Sequence, residues 1–455
     1  MKYRLFILTL LLGLSIQSVF ALDVVYPKQN NVTINSPSTF FVGNSSTEIP
    51  LKINGQTIPI HPSGGFAYAV ELNTGKNQFV LESGDEKQIF NITRPKPISS
   101  AYTTRNTELP YDTAQSFMTV KDNTPLRSTP VDGGINRIAH YQKDIPLLVI
   151  GEKSGFYKVK LNEKESAWIN IQDVVSADSF TPAKLLKRSV IEDKNYYIFK
   201  IDFDKKVPYV IEGKHPFVVK FYNIEGYPDN TFSFTFPLKQ KLIGYSGEFE
   251  GNSFILKVRK FTENNLKRPL KGIKIVIDAG HGGDEIGAIG CLRNNEKDIN
   301  LAISKMLATE LKLRGANVIM TRQGDETVSL TDRVKKTNEN EASVFISIHG
   351  NALPDNMDPN EHSGTSVFYY YPQAEPLADS ILKSMTSQLP FADDQVRQGS
   401  FAVVRNTEAL SILIEVGYLI NPSDNAYLIN PEIQQNTGKA IADGIENFFA
   451  EKDLN

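Results

Sequence analysis

Four side chains capable of metal or proton chemistry stand at the ends of apolar runs. His281 closes the run Ile273–His281, His349 closes Val344–His349, and Glu415 closes Leu410–Glu415. Glu296 opens a stretch in which Ile299, Ile303, Met306, Leu307 and Leu311 recur at helical spacing. Open α/β sheets gather ligands outside the carboxyl ends of their strands, so these residues can face one crevice. Two neutral imidazoles and one carboxylate (His281, His349, Glu296) form the donor set of catalytic zinc sites that keep a position for water. Such an ion lowers the pKa of its water toward about 7 and polarises a carbonyl. A second, unligated carboxylate must then take the proton and pass it to a leaving amine, and Glu415 is placed for that. Taken singly the signals are weak: a histidine at one strand end is often a satisfied core residue. Glu296 alone would read as a carboxylate favoured by a helix N-terminus. Their joint occurrence at one sheet edge is what carries the reading. His362, in the polar loop 354–363, is the competing ligand and reads as an exposed loop histidine.

The elements that must position these residues alternate from Gly272 onward. A helix from Glu296 to about Leu313 leads to a strand over 316–320, then a helix through Asp332 and Val334. Strands are expected over 343–349 and 365–371, a helix over 376–389, a short strand over 401–404 and a buried strand over 410–415. A terminal helix over 431–449 follows. The pattern predicts a mixed, mostly parallel sheet flanked by helices.

Ahead of that α/β domain, assigned to 269–455, the chain reads as three small β-rich modules. Residues 22–95 alternate in short runs with turn signals such as Asn54-Gly55 and resemble an Ig-like module. A Pro/Ser/Thr-rich linker is expected over 96–118. Residues 119–180 resemble a bacterial SH3-like barrel, with Trp168 as a core anchor and His140 as a solvated loop residue. Residues 181–268 form a third β-rich module with strictly alternating strands over 197–203 and 231–236. The lone His61 reads as a surface turn residue. The basic stretch Lys257, Arg259, Lys260, Lys267, Arg268 and Lys271 reads as a solvated strand face and linker.

Residues 1–21 combine Lys2 and Arg4 with the apolar run 5–16 and small residues near Ala21, the pattern of a cleaved signal peptide. The run is shorter than the ~20 residues a span needs, so no integral membrane segment is expected in the mature chain. Over 455 residues the net charge is only −3, which does not suggest a nucleic-acid partner. The single cysteine, Cys291, excludes an internal disulfide in an exported protein and lacks any activating motif.

The motifs VIDAGHGGDEIGAIG, NEKDINLA, MTRQGD, LTDRV, VFISIHGNA, GTSVFYYY and SILIEVGYLINPSDN resemble the zinc-dependent N-acetylmuramoyl-L-alanine amidases of the cell-wall hydrolase class. The resemblance covers about 271–449. It implies one Zn²⁺ per chain held by His281, Glu296 and His349, with Glu415 as the catalytic carboxylate. It makes Arg405 and Asn351 plausible substrate contacts, while Arg322 and Asp325 read as an ion pair at the sheet edge. The implied partner is peptidoglycan, cut between the muramoyl lactyl group and L-alanine. The implied location is exported, periplasmic or extracellular, and associated with the cell wall. Spacing alone leaves open a zinc peptidase acting within the stem peptide, and a non-catalytic wall-binding scaffold remains the rival outside enzymes. Some members carry an inserted helix over the metal; here the turn at Pro372-Gln373 runs into one ordinary helix, so no such cover is expected.

Overall fold

The computed structural model describes residues 22–97, 107–214, 216–236, 241–261 and 267–451. The expected signal peptide and most of the first half of the expected linker lie outside the described residues. The chain divides into two compact units, one of residues 1–96 with Asp355–Asp358 and one of the remainder.

In the first unit, a three-stranded antiparallel sheet (Leu22–Tyr26, Ser38–Ser45, Gly65–Glu71) and a five-stranded sheet enclose one core. Phe41 meets the edges of Phe79 and Phe90 there, with ring centroids 5.4 and 5.2 Å away. Asn54 and Gly55 both take positive φ (49° and 80°) and join Leu51–Ile53 to Gln56–Ile58, as a tight hairpin requires.

The second unit begins with a seven-stranded sheet whose longest strand is Leu109–Thr119. That strand pairs with Pro146–Lys153 and Val174–Ser176, so the expected linker is in part a structural strand. Its first two-thirds are largely exposed and show no apolar alternation, which hid it from a hydrophobicity reading. The following region holds a four-stranded and a three-stranded antiparallel sheet, including the alternating strands Tyr196–Phe203 and Thr231–Phe236. One buried cluster runs from Phe117 and Val149 through Phe203 and Phe221 to Phe254 and Val258. The two modules expected over 119–180 and 181–268 therefore share a core. Trp168 is buried in Ser166–Asn170, as an anchor should be. His140 departs from expectation: it sits within the strand Arg137–Tyr141, largely buried, not in a solvated loop.

The C-terminal region carries a six-stranded mixed sheet. Its strands are β1 (Lys274–Ala279), β2 (Asn317–Met320), β3 (Val344–Asn351), β4 (Thr365–Tyr369), β5 (Asp393–Gln398) and β6 (Leu410–Tyr418). Their order is β2-β1-β3-β6-β4-β5, and only the β4–β6 pair is antiparallel. The helices are α1 (Glu296–Leu313), α2 (Leu330–Glu339), α3 (Glu375–Gln388), α4 (Pro422–Leu428) and α5 (Pro431–Ala450). Side chains of β1, β3 and β6 pack with Ile303, Leu307, Leu377, Ile381, Ile441 and Ile445 in one large cluster, while Val276, Phe345 and Leu413 face a smaller one. Burial on both faces explains why these strands are continuous apolar runs and not alternating ones.

Three details differ from the sequence reading. Residues 402–404 form a 3₁₀ turn, not a strand. β5, with Val396 its sole aliphatic residue, gave no signal because it is an edge strand. α4 is a separate short helix, capped by Asn421 Oδ1 accepting from the backbone N–H of Ser423 and Asp424. Between β4 and α3 there is a single 3₁₀ turn, Pro372–Ala374.

Candidate metal centre

Three parallel strands deliver three of the four residues to one edge. β1 ends at Ala279 and passes through Gly280 to His281; β3 carries His349 and β6 carries Glu415 in direct register with it. Gly280 must be glycine because a Cβ there would lie 2.4 Å from the His349 ring. The next turn is unusual: His281, Gly282 and Gly283 all have positive φ (60°, 133° and 58°). For a histidine this conformation is uncommon and has to be held by its surroundings.

Two buried arginines hold it. Arg333, 3% exposed, donates to Asp278 Oδ1 at 2.5 Å, to Ala279 O at 2.9 Å and to His281 O at 3.0 Å. Asp278 also accepts from Thr321 Oγ1 (2.6 Å) and Ser347 Oγ (2.7 Å), so its buried charge is fully surrounded. Arg322 donates to Ala279 O, Gly280 O and Lys297 O at 2.7–3.0 Å. The expected ion pair between Arg322 and Asp325 is not what forms. Arg322 clamps backbone carbonyls, while Asp325 pairs with Lys297 at 2.7 Å and accepts from Gly283 N at 2.8 Å.

Glu296, the first residue of α1, is 4% exposed. Its Oε1 lies 2.9 Å from His349 Nδ1 and 3.2 Å from His281 Nε2, and accepts from Gly350 N and Asn300 Nδ2, both at 3.2 Å. Its Oε2 accepts from Ala288 N at 2.8 Å. Burial alone would raise this carboxyl, but the bonds and charges of the two histidines outweigh it and hold it well below the usual carboxylate range. In the reverse direction, burial would lower His349, yet its bond to Glu296 and the charge of Glu415 leave it raised. The ring centroids of His281 and His349 are 4.9 Å apart. One ligand atom from each of His281, Glu296 and His349 lies within 4.8 Å of the others, so the three can hold one metal ion.

Glu415 stands beside this trio without joining it. Its Oε2 is buried with no hydrogen-bond partner among the described residues. Burial and then the negative charge of Glu296 push its carboxyl up to about 7, against the opposing pull of His349 and His281. A carboxylate poised there can accept and return a proton near neutral pH.

The remaining sequence expectations are placed as follows. Asn351, at the end of β3, uses its Oδ1 to accept from Ala352 N. Arg405 donates to Ser400 O and Oγ, both at 2.9 Å, and its electrostatic neighbours are Arg137, Tyr370 and Tyr371, none of them in the trio. His362 lies with its ring 6.2 Å from that of Tyr418 and is not one of the three clustered ligands. Cys291 is buried with its thiol pushed up to about 12 by burial, an inert group. Arg333 and Asn300 were missed by the sequence reading, because their types and positions on a helix look like surface residues, and Arg322 was recognised but given the wrong partner.

Comparison with known proteins follows the same region. A family model described as N-acetylmuramoyl-L-alanine amidase matches residues 275–447. The protein YqiI of Bacillus subtilis is 36% identical over 187 residues, which are 40% of this chain and 87% of that protein. The probable cell wall amidase LytH of Staphylococcus epidermidis is 34% identical over 184 residues, 40% of this chain and 60% of its own length. A solved structure, the N-acetylmuramoyl-L-alanine amidase AmiC2 of Nostoc punctiforme, is 34% identical over 39% of this chain and 98% of that one, with a TM-score of 0.37.

Proposed function

The chain belongs to the N-acetylmuramoyl-L-alanine amidase family, and from that premise we propose that it is a zinc-dependent peptidoglycan hydrolase. The bond cut is the amide between the muramoyl lactyl group and the L-alanine of the stem peptide. The observation that carries this reading is the trio His281, Glu296 and His349 beside the unpartnered buried oxygen of Glu415.

The residues fit zinc. Two imidazoles and one carboxylate are a donor set that suits it, and the Glu296 carboxyl is held ionised, as a ligand must be. When bound, zinc supplies a Lewis acid that acidifies water and polarises a carbonyl. The chain's own residues do the rest. Asn300 and the backbone N–H groups of Gly350 and Ala288 fix the Glu296 carboxylate, while Arg322 and Arg333 fix the backbone that carries His281. Glu415 takes a proton from the attacking water and returns it to the departing alanine nitrogen. Asn351 and Arg405 are proposed as substrate contacts, and the β-rich regions as parts that carry the enzyme to the wall. Export by the N-terminal signal and a periplasmic or extracellular location belong to the same proposal. Among the described residues no helix is long and apolar enough to cross a membrane.

The test is mass spectrometry of purified peptidoglycan after digestion, with and without a chelator. Stem peptides beginning at a free L-alanine, abolished by chelator and restored by zinc, are expected. Fragments cut within the stem would replace the proposal with a peptidase, and wall binding without soluble products would replace it with a scaffold.

A further inference from the structure

We infer that the seam between the β-rich region and the catalytic sheet holds a second binding site, one for a small carboxylate. A cavity of about 120 Å³ lies there, lined by Arg137 and His140 of the strand Arg137–Tyr141, by Tyr209 and Tyr245, and by Tyr371 and Thr407 of the catalytic region. The seam is closed by backbone and side chain alike. Tyr245 N donates to Thr407 O at 2.8 Å, and Tyr370 Oη donates to Gly134 O at 3.0 Å and to Arg137 O at 3.4 Å. None of His281, Glu296, His349 or Glu415 lines the cavity.

Its walls present hydrogen-bonding groups that the protein itself leaves unused. Tyr209 is satisfied, donating to His140 O at 3.2 Å. The hydroxyl of Tyr245, a residue only 5% exposed, has no hydrogen-bond partner among the described residues, and neither has that of Tyr371 or the His140 ring. Arg137 Nε is buried and also without a partner. Polar groups that line one cavity without a protein partner are open to an occupant that pairs them.

The local field identifies the sign of that occupant. Neither Arg137 nor Arg405 has a carboxylate within 4.0 Å among the described residues, whereas Arg127 nearby is paired with Asp132 at 2.6 Å. The His140 ring is pushed down to about 4, first by burial and then by the positive charges of Arg137, Arg405 and Arg127. The carboxylate that bears on this group of tyrosines is Glu248, felt by Tyr209. A guanidinium edge and two phenol hydroxyls suit a planar oxyanion. The volume admits only a few heavy atoms beyond it, and Ile138, Ala139 and Ile211 in the lining suit a methyl group. The carboxylate could come from a free small acid or from the free carboxyl end of a short peptide.

The full chain, titrated with acetate, N-acetylalanine and N-acetylalaninamide at constant ionic strength against chloride, tests this. A saturable rise in Tm with acetate is expected, at least tenfold weaker in Tyr245→Phe and in Arg137→Gln, with wall hydrolysis by Tyr245→Phe unchanged. Tyr245→Phe removes one oxygen and no packing, so it keeps the test valid should Arg137→Gln unfold. Acetate and N-acetylalanine both binding, with the amide inactive, would assign the site to a peptide end; acetate alone would assign it to a free acid. No saturable effect beyond chloride, or equal binding by Tyr245→Phe, would overturn the inference.

Discussion

His349 Nδ1 and Glu296 Oε1 lie 2.9 Å apart, joining the end of a central strand to the first turn of the neighbouring helix across 53 residues of sequence. That oxygen is shared with His281, so a single carboxylate sets the spacing of both histidines. The arrangement holds because Glu296 is itself anchored by Gly350 N, Ala288 N and Asn300 and has little freedom to turn away.

Glu415 stands outside that shared set, which separates the proposed metal binding from the proposed proton transfer. Glu415→Gln should keep near-normal zinc content and lose roughly 10²–10⁴ in turnover. His281→Ala should instead lose metal. Elemental analysis alongside hydrolysis rates distinguishes the two, and a Gln variant with near-normal rates would remove Glu415 from its role.

Arg333 is the residue whose loss should reach furthest from its own position. Arg333→Gln strands the buried Asp278 charge and releases the His281 carbonyl. A stability loss of about 3–5 kcal/mol is expected from the first effect. The second should weaken zinc by ~10–100-fold in chelator competition. Chemical denaturation of the metal-free protein isolates the first. Unchanged zinc affinity would show that the loop keeps its left-handed turn unaided.

The four residues proposed for the centre were legible because a charged or titratable side chain ending an apolar strand, or opening an apolar helix beside it, is hard to explain by packing. Arg333 was not, since within Leu330–Glu339 it is one of four charged side chains before the closing glutamate and nothing local marks it as the buried one. The same limit applies to the strand Leu109–Thr119: its pairing with Pro146–Lys153 is made by backbone groups, and its side chains are mostly wet. The core shared by Phe117, Phe221 and Phe254 joins residues more than 100 positions apart, a relation that periodicity within a short window does not contain. His140 was misplaced for a related reason. Its strand is short, and it lines a cavity with Tyr209 and Tyr371, residues distant in sequence.

Gly280 offers a test of how tightly the centre is packed. A methyl group there would overlap the His349 ring at 2.4 Å. Gly280→Ala should therefore lower zinc content sharply while leaving the β-rich region intact. Zinc stoichiometry together with protease resistance of the β-rich region checks this. Full metal occupancy would mean that the strand end can shift to admit the methyl.

His140 predicts a pH dependence of stability. Its folded pKa, about 4, lies below the ordinary 6.5, so the unfolded chain binds the extra proton first as pH falls. The neutral ring's contribution is fully present above about pH 6.5, declines as pH drops, and is exhausted near pH 4. By linkage the whole effect is at most about 3 kcal/mol. His140→Gln, which cannot take up a proton, should flatten this part of the stability profile between pH 6.5 and 4 without altering the limb below it. Urea denaturation across that range, in cationic buffers that add no carboxylate, measures the difference. Parallel profiles for the two proteins would mean that the ring is hydrated in solution and that Arg137, Arg405 and Arg127 do not oppose its charge.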